Sequence, residues 1–198
     1  ENALPLFMIF RAWEVLAEKC ELLVMWGADP TVTNDIDWVT TIHENAEGME
    51  MVKKAGVPVI AINPLKPDAA EYFGKNCQWI APKPGTDVAM MLGMAYELET
   101  SGKVDREFIR KYTVGYDKFI AYVLGKTDGV AKTPEWAEKI CDVKADAIKS
   151  LAHLMREKRS MLMGGWGIQR AQHGEQVHWM MVVLAAMCGH IGQPGGGF

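Results

Sequence analysis

With 198 residues, 49% of them hydrophobic, the chain is long enough to bury a substantial core in one domain. Its 21 basic residues against 25 acidic ones leave no cationic excess to attract nucleic acid or an anionic membrane face, so an anionic ligand has to be held locally. Four cysteines, Cys20, Cys77, Cys141 and Cys188, stand apart without CxxC spacing, which argues against zinc and iron-sulfur sites in this segment and marks them as apolar fillers.

In chain order, apolar residues recur at helical spacing from Leu6 to Lys19. Glu21 to Trp26 (ELLVMW) is then a continuous apolar run that meets Gly27-Ala28-Asp29-Pro30, giving helix, buried strand and loop. Glu44 to Ala55 is amphipathic and closes at Gly56. Val57 to Ile62 forms a second buried strand, in which Pro58 suits only the beginning, and it runs out into Asn63-Pro64. Asp68 to Phe73 reads as a short helix and Cys77 to Ala81 as a third strand. Pro82 to Asp87 is a loop in which Thr86 caps the helix from Asp87 to Thr100. Helices follow over Asp105 to Tyr112, Asp117 to Leu124, Pro134 to Ile140 and Ala145 to Lys158. Ser160 to Met163 makes a fourth strand, and Glu175 to Cys188, apolar nearly all round, a buried helix.

Strands alternating with helices, and no two-residue hairpin turns, predict an α/β fold: a Rossmann-like, mostly parallel sheet with helices on both faces. Residues 1–198 are expected to form a single domain with a helical insertion over about 105–158. The start at Glu1 without an initiator methionine, and the end within Pro194-Gly195-Gly196-Gly197-Phe198, suggest a piece excised from a longer catalytic subunit. No transmembrane run or signal peptide stands in it.

Ligands of such sheets collect beyond the carboxyl ends of the strands, so the four strand exits, WGADP, INPLKPD, APKPGTD and GGWGIQRAQHGEQ, share one rim. WGADP offers Trp26, Gly27 and Asp29, but it is equally a plain turn and lacks the GxGxxG of a nicotinamide site. INPLK places Asn63, Pro64 and Lys66 where ribose or phosphate would sit, in ordinary turn chemistry. In PKPGTD, with Pro84 and Gly85, Asp87 either stabilises its helix N-terminus or accepts two parallel hydrogen bonds from guanine N1–H and N2–H₂. The fourth exit is the richest. Gly165 brings backbone close, Trp166 supplies a wall, and Arg170 a permanent fork of donors, while Gln169, His173 and Gln176 add polar reach. His173 and His178, five residues apart, point in different directions on a helix and do not share a metal ion.

The stretch GGWGIQRAQHGEQVHWMMVVLAAMCGHIGQPGGGF, with LLVMWGADP, VIAINP, APKPGTDVAMMLGMAYEL and KTPEWAEKICDV, resembles the molybdopterin oxidoreductases of the dimethyl sulfoxide reductase family. Within that family it is most similar to the subgroup that includes trimethylamine N-oxide, dimethyl sulfoxide and biotin sulfoxide reductases. The resemblance implies one α/β domain of a large catalytic subunit that holds part of a bis(molybdopterin guanine dinucleotide) cofactor with molybdenum. By motif, the WGADP and INP loops would line a dinucleotide's phosphates and ribose, and Asp87 would read its guanine. Trp166 and Arg170 would face the molybdenum pocket, with Gln169 and the HGEQ turn beside the pterin.

Two departures carry information. Asp29 stands where many relatives have asparagine, and a carboxylate there repels an anion unless it accepts backbone hydrogens instead. The serine that ligates molybdenum in this subgroup has no matching motif in the chain, so the piece alone is expected to be inactive. The resemblance further implies reduction of an N-oxide or S-oxide by oxygen-atom transfer in anaerobic respiration, a cytochrome-type electron donor and a periplasmic enzyme. Sparse cysteine fits the cytoplasm as well. Two other classes share the sheet. A nicotinamide- or flavin-binding dehydrogenase calls for an acidic residue ending the second strand, where Asn63 stands, and a non-catalytic interaction module gives Asp87, Trp166 and Arg170 no reason to converge.

Overall fold

The structure, a computed structural model, describes residues 13–33 and 43–198. Helix α1 (Trp13–Lys19) leads into strand β1 (Leu22–Trp26) and a single helical turn, α2 (Pro30–Thr33). The portion of the first expected helix before Trp13 lies outside the described residues. Helix α3 (Asn45–Lys54) precedes β2 (Val59–Ile62); α4 (Asp68–Phe73) and a 3₁₀ turn precede β3 (Cys77–Ile80). Then come α5 (Asp87–Thr100), α6 (Arg106–Tyr112), α7 (Tyr116–Val123), α8 (Pro134–Cys141) and α9 (Ala145–Glu157). Strand β4 (Ser160–Gly164), a second 3₁₀ turn (Trp166–Gln169) and α10 (Glu175–Cys188) complete the order.

The sheet is wholly parallel, in the order β3-β2-β1-β4. Continuous apolar runs become strands here because both faces are covered. Leu22, Val24, Trp26, Ile60, Ile62, Ile80 and Leu162 belong to one core cluster, while Leu23, Met25, Val59, Ala61, Met161 and Met163 pack in the other. The second face is covered by α1, α3 and α4; on the first, α5 packs against α8, α9 and α10. β2 begins one residue after Pro58, which has no N–H to give a ladder, although its carbonyl accepts from Leu23 N–H at 2.9 Å.

Two expectations are corrected. Thr86 does not cap α5: its hydroxyl turns back to donate to the Lys83 carbonyl at 2.6 Å, because its backbone lies at φ −110°, ψ 12° rather than in the extended region that aims a capping oxygen. Nor is α10 buried all round. One side packs on β4 and α5, but Trp179 on the other is 66% exposed and Val182 faces solvent beside it. Of the four cysteines, Cys20, Cys141 and Cys188 are buried fillers, and Cys77 at the start of the edge strand is half-exposed.

Beyond α10 the glycine-rich segment returns to the sheet. Gly197 N–H donates to the Ser160 carbonyl and its own carbonyl accepts from Leu162 N–H, both at 2.9 Å, so it runs parallel to β4 along the sheet's outer edge. The turn into it is held by buried His190, whose Nδ1 accepts from Ser160 N–H at 3.3 Å. That bond requires Nδ1 to be unprotonated. Burial lowers the His190 pKa, and the positive charges of Arg156 and Arg159 lower it further, against smaller opposite contributions from Asp105 and Glu21.

Two outcomes follow from this packing. Gly93 lets α5 lie against α8, since a Cβ there would sit 2.9 Å from Ala137 Cβ. Gly93→Val should therefore cost about 2 kcal/mol in urea unfolding by overpacking. A histidine whose native pKa is depressed contributes stability that is complete above its ordinary value of 6.5 and is lost as pH falls through the lowered native value. Unfolding midpoints measured down that range should fall less steeply in His190→Asn, whose amide oxygen accepts the same bond without titrating.

Candidate functional site

The ladder registers set Ile80, Ile62, Trp26 and Gly164 in one row across the carboxyl end of the sheet. The expected strand ends at Ala81 and Met163 each shift by one residue. β3 and β4 occupy opposite edges, so the loops that follow them begin roughly 14 Å apart, three strand spacings. Trp26 closes that distance. Its carbonyl accepts Gly165 N–H at 2.9 Å, and its indole Nε1–H donates to Asp87 Oδ1 at 2.8 Å. The loops carrying Asp87 and Trp166 are thus fastened to the same residue of the central strand.

Backbone proximity explains the glycines. Gly27 has φ +59°, and the space where its side chain would stand is filled by Ile168 from the 3₁₀ turn after β4. A Cβ on Gly165 would overlap the Gly27 carbonyl oxygen, and one on Gly174 would lie 2.5 Å from the Gln169 carbonyl oxygen. The β1 and β4 exits are therefore interlocked main chain to main chain, a contact that only glycine permits. Beneath them, His178 Nε2 and Met181 Sδ fill the place of a side chain at Gly164, and burial lowers the His178 pKa.

Asp29 is engaged by protein donors. Its Oδ1 accepts from the Thr31 N–H and hydroxyl, and its Oδ2 accepts from Asp68 N–H at the start of α4 at 2.8 Å. It ties the β1 exit to the β2 exit. Asn63 donates its N–H to the Ile80 carbonyl and accepts from Trp79 Nε1 at 2.9 Å. Pro64 and Lys66 are exposed, and Lys66 pairs with Glu71 at 3.4 Å. Pro84 and Gly85 are exposed on a loop anchored by Lys83 N–H to the Cys141 carbonyl; Gly85 has φ +74°.

Asp87 is 9% exposed. Trp166 is 49% exposed, Arg170, His173 and Gln176 lie on the surface, and Gly165 and Gln169 are half-buried. Among the described residues no carboxylate pairs with Arg170, so its guanidinium donors face outward. Among the same residues no three His, Cys, Asp or Glu side chains are grouped as a metal site, and no helix is long and apolar enough to cross a membrane. A separate groove of about 240 Å³ between β3 and α9, lined by Gln78, Asp146 and Ser150 among apolar residues, contains none of the rim residues. Sequence reasoning did not find the Trp26–Asp87 bond, the seating of Ile168 on Gly27 or the Asp29–Asp68 tie. The partners in these contacts lie 61, 141 and 39 residues apart and no local pattern links them.

The fold is a parallel α/β sheet with its strand exits gathered at one rim, and residues 14–198 match the family model described as molybdopterin oxidoreductase. The chain belongs to that family. It is 50% identical over 187 residues to the dimethyl sulfoxide/trimethylamine N-oxide reductase of Rhodobacter capsulatus and 48% identical to the trimethylamine-N-oxide reductase of Haemophilus influenzae. In both cases 94% of this chain is covered, and the chain spans 22% of the relative's length. Acetylene hydratase from Pelobacter acetylenicus shares the fold, with a TM-score of 0.71 over 96% of this chain and 26% of that one, at 16% identity.

The interlock is testable. Gly165→Ala should destabilise the chain by about 3 kcal/mol, because the obstacle is backbone that cannot rotate away. Gly85→Ala, where a Cβ meets open space, should cost only the left-handed backbone penalty of about 1 kcal/mol. Urea midpoints of the two variants provide the comparison.

Proposed function

We propose that this chain seats one guanine nucleotide of a bis(molybdopterin guanine dinucleotide) cofactor and walls the substrate pocket of an N-oxide or S-oxide reductase. The observation that carries the reading is the pair of loops fastened to Trp26, one presenting a carboxylate and the other a tryptophan and an arginine that no carboxylate pairs among the described residues. The residues present fit the group. Asp87 offers an acceptor for guanine N1–H and N2–H₂ at the start of α5. The bonds that Asp29 accepts from Thr31 and Asp68 answer part of its negative charge, so it orders the loop on which phosphate would rest. Asn63, Pro64 and Lys66 lie on the β2 exit beside it, and Pro84 and Gly85 shape the approach to Asp87.

Bound molybdenum supplies the oxygen-atom and two-electron exchange. The chain's own contribution is electrostatic and steric. Arg170 orients and polarises the oxide oxygen with its fork of guanidinium donors, and Trp166 excludes water from the pocket. Gln169, His173 and Gln176 hold the pterin side of the rim. The relatives' names support trimethylamine N-oxide and dimethyl sulfoxide as substrates. A cytochrome-type donor, a role in anaerobic respiration and a periplasmic location complete the proposal.

Arg170→Ala in the full protein should leave molybdenum and guanine content unchanged while turnover falls about 100-fold, the scale of removing one charge-stabilising donor group. Unchanged turnover at full cofactor loading would remove Arg170 from this role.

A further inference from the structure

Trp26 is fully buried, so its ring has no face open to a ligand at the rim. Its one polar atom, Nε1–H, lies in the core and donates to Asp87 Oδ1 at 2.8 Å. An indole nitrogen donates and never accepts. Whatever side chain occupies position 87 must therefore turn an acceptor inward to meet it, since a donor turned inward would be buried against another donor.

The outer half of the carboxylate follows from the inner half. Among the described residues no buried side-chain polar atom lacks a partner, and no hydrogen bond is made to Asp87 Oδ2. Oδ2 is accordingly the atom through which this nearly buried residue meets solvent. The side chain is held as a two-ended device: one oxygen fixed to the central strand, the other left without a protein partner among the described residues and able to accept.

We propose that Trp26 is a positioning residue for the base specificity of the site: its bond to Oδ1 fixes the orientation of the Asp87 carboxylate and leaves Oδ2 to accept from a base. The inference rests on the reading of the rim as a guanine-nucleotide site. An oxygen held outward as an acceptor meets guanine's N1–H and N2–H₂, both of them donors, whereas adenine at N1 offers an acceptor and is repelled. Trp26 touches neither base nor reacting atoms; it acts through Asp87.

Substitution of Asp87 by asparagine gives the sharpest test, because the amide has one acceptor end and one donor end. With Trp26 in place, the amide oxygen turns inward and the NH₂ group outward, against guanine's own donors. Removing the indole N–H frees the amide to rotate and offer its oxygen outward again. Dissociation constants for guanosine 5′-diphosphate and adenosine 5′-diphosphate would be measured by calorimetry on the full, cofactor-free protein.

Trp26→Phe alone should weaken guanosine diphosphate about tenfold, the loss of a hydrogen bond that orders a charged group, and leave adenosine diphosphate unchanged. Asp87→Asn should weaken guanosine diphosphate about 100-fold, and Trp26→Phe combined with Asp87→Asn should recover about tenfold of that loss. Gain of affinity from a second substitution is something a purely structural role for Trp26 does not produce. β-(3-Benzothienyl)alanine at position 26, which keeps the bicyclic shape without the N–H, should repeat the recovery if phenylalanine loosens the core. Equal binding by Asp87→Asn with and without the indole N–H, in a protein whose wild type prefers the guanine nucleotide, would overturn the role of Trp26 and leave the site reading standing. A wild type without preference between the two nucleotides would overturn both.

Discussion

Two polar atoms of one residue, the carbonyl and the indole N–H of Trp26, hold together the parts of this structure on which everything at the rim depends. A four-stranded parallel sheet spreads its exits across its width, and loops on opposite edges have no reason to meet. Here the β4 exit hydrogen-bonds the main chain of the central strand, while α5 begins directly against its side chain. Because Trp26 is fully buried, both bonds form where water does not compete, and each counts for more than it would at the surface.

That constraint orders the rest of the site. With the β4 exit pinned to β1, the Gly27–Gly165 contact follows, and Ile168 drops into the space that Gly27 leaves. Asp29 then joins the same exit to the start of α4, so the β1, β2 and β4 loops form one connected surface. The exposed groups, Trp166, Arg170 and Lys66, sit on this framework without building it. A surface made in this way is preorganised: the ordering entropy of its backbone is met by folding.

Much of the architecture was legible from apolar runs. Leu22–Trp26, Val59–Ile62, Cys77–Ile80 and Ser160–Gly164 read as strands because they are short, continuous and bounded by turn residues, and α5 and α10 carry the boundaries that their patterns predict. What failed did so for local and for distant reasons. Thr86 has the right type and place for a cap, but its backbone dihedrals turn the hydroxyl elsewhere, a choice that the loop's anchorage to Cys141 makes and the sequence does not display. α10 carries apolar residues on every side, and composition has no means of telling that the side with Trp179 faces solvent while the opposite one packs on the sheet.

The sequence by itself determined the class of fold, the end of the sheet at which the strand exits gather, and the residue types available there, since periodicity, turn chemistry and side-chain functional groups are properties of short stretches. Tertiary structure alone decided what those residues do to one another. Asp87 looked like a free carboxylate at a helix start and is a partner of Trp26; Asp29 looked like a poor neighbour for an anion and is neutralised in part by Thr31 and Asp68. The reason is that hydrogen bonds depend on distances of about 3 Å between atoms brought together by the packing of the whole chain. No pattern confined to one segment encodes that proximity.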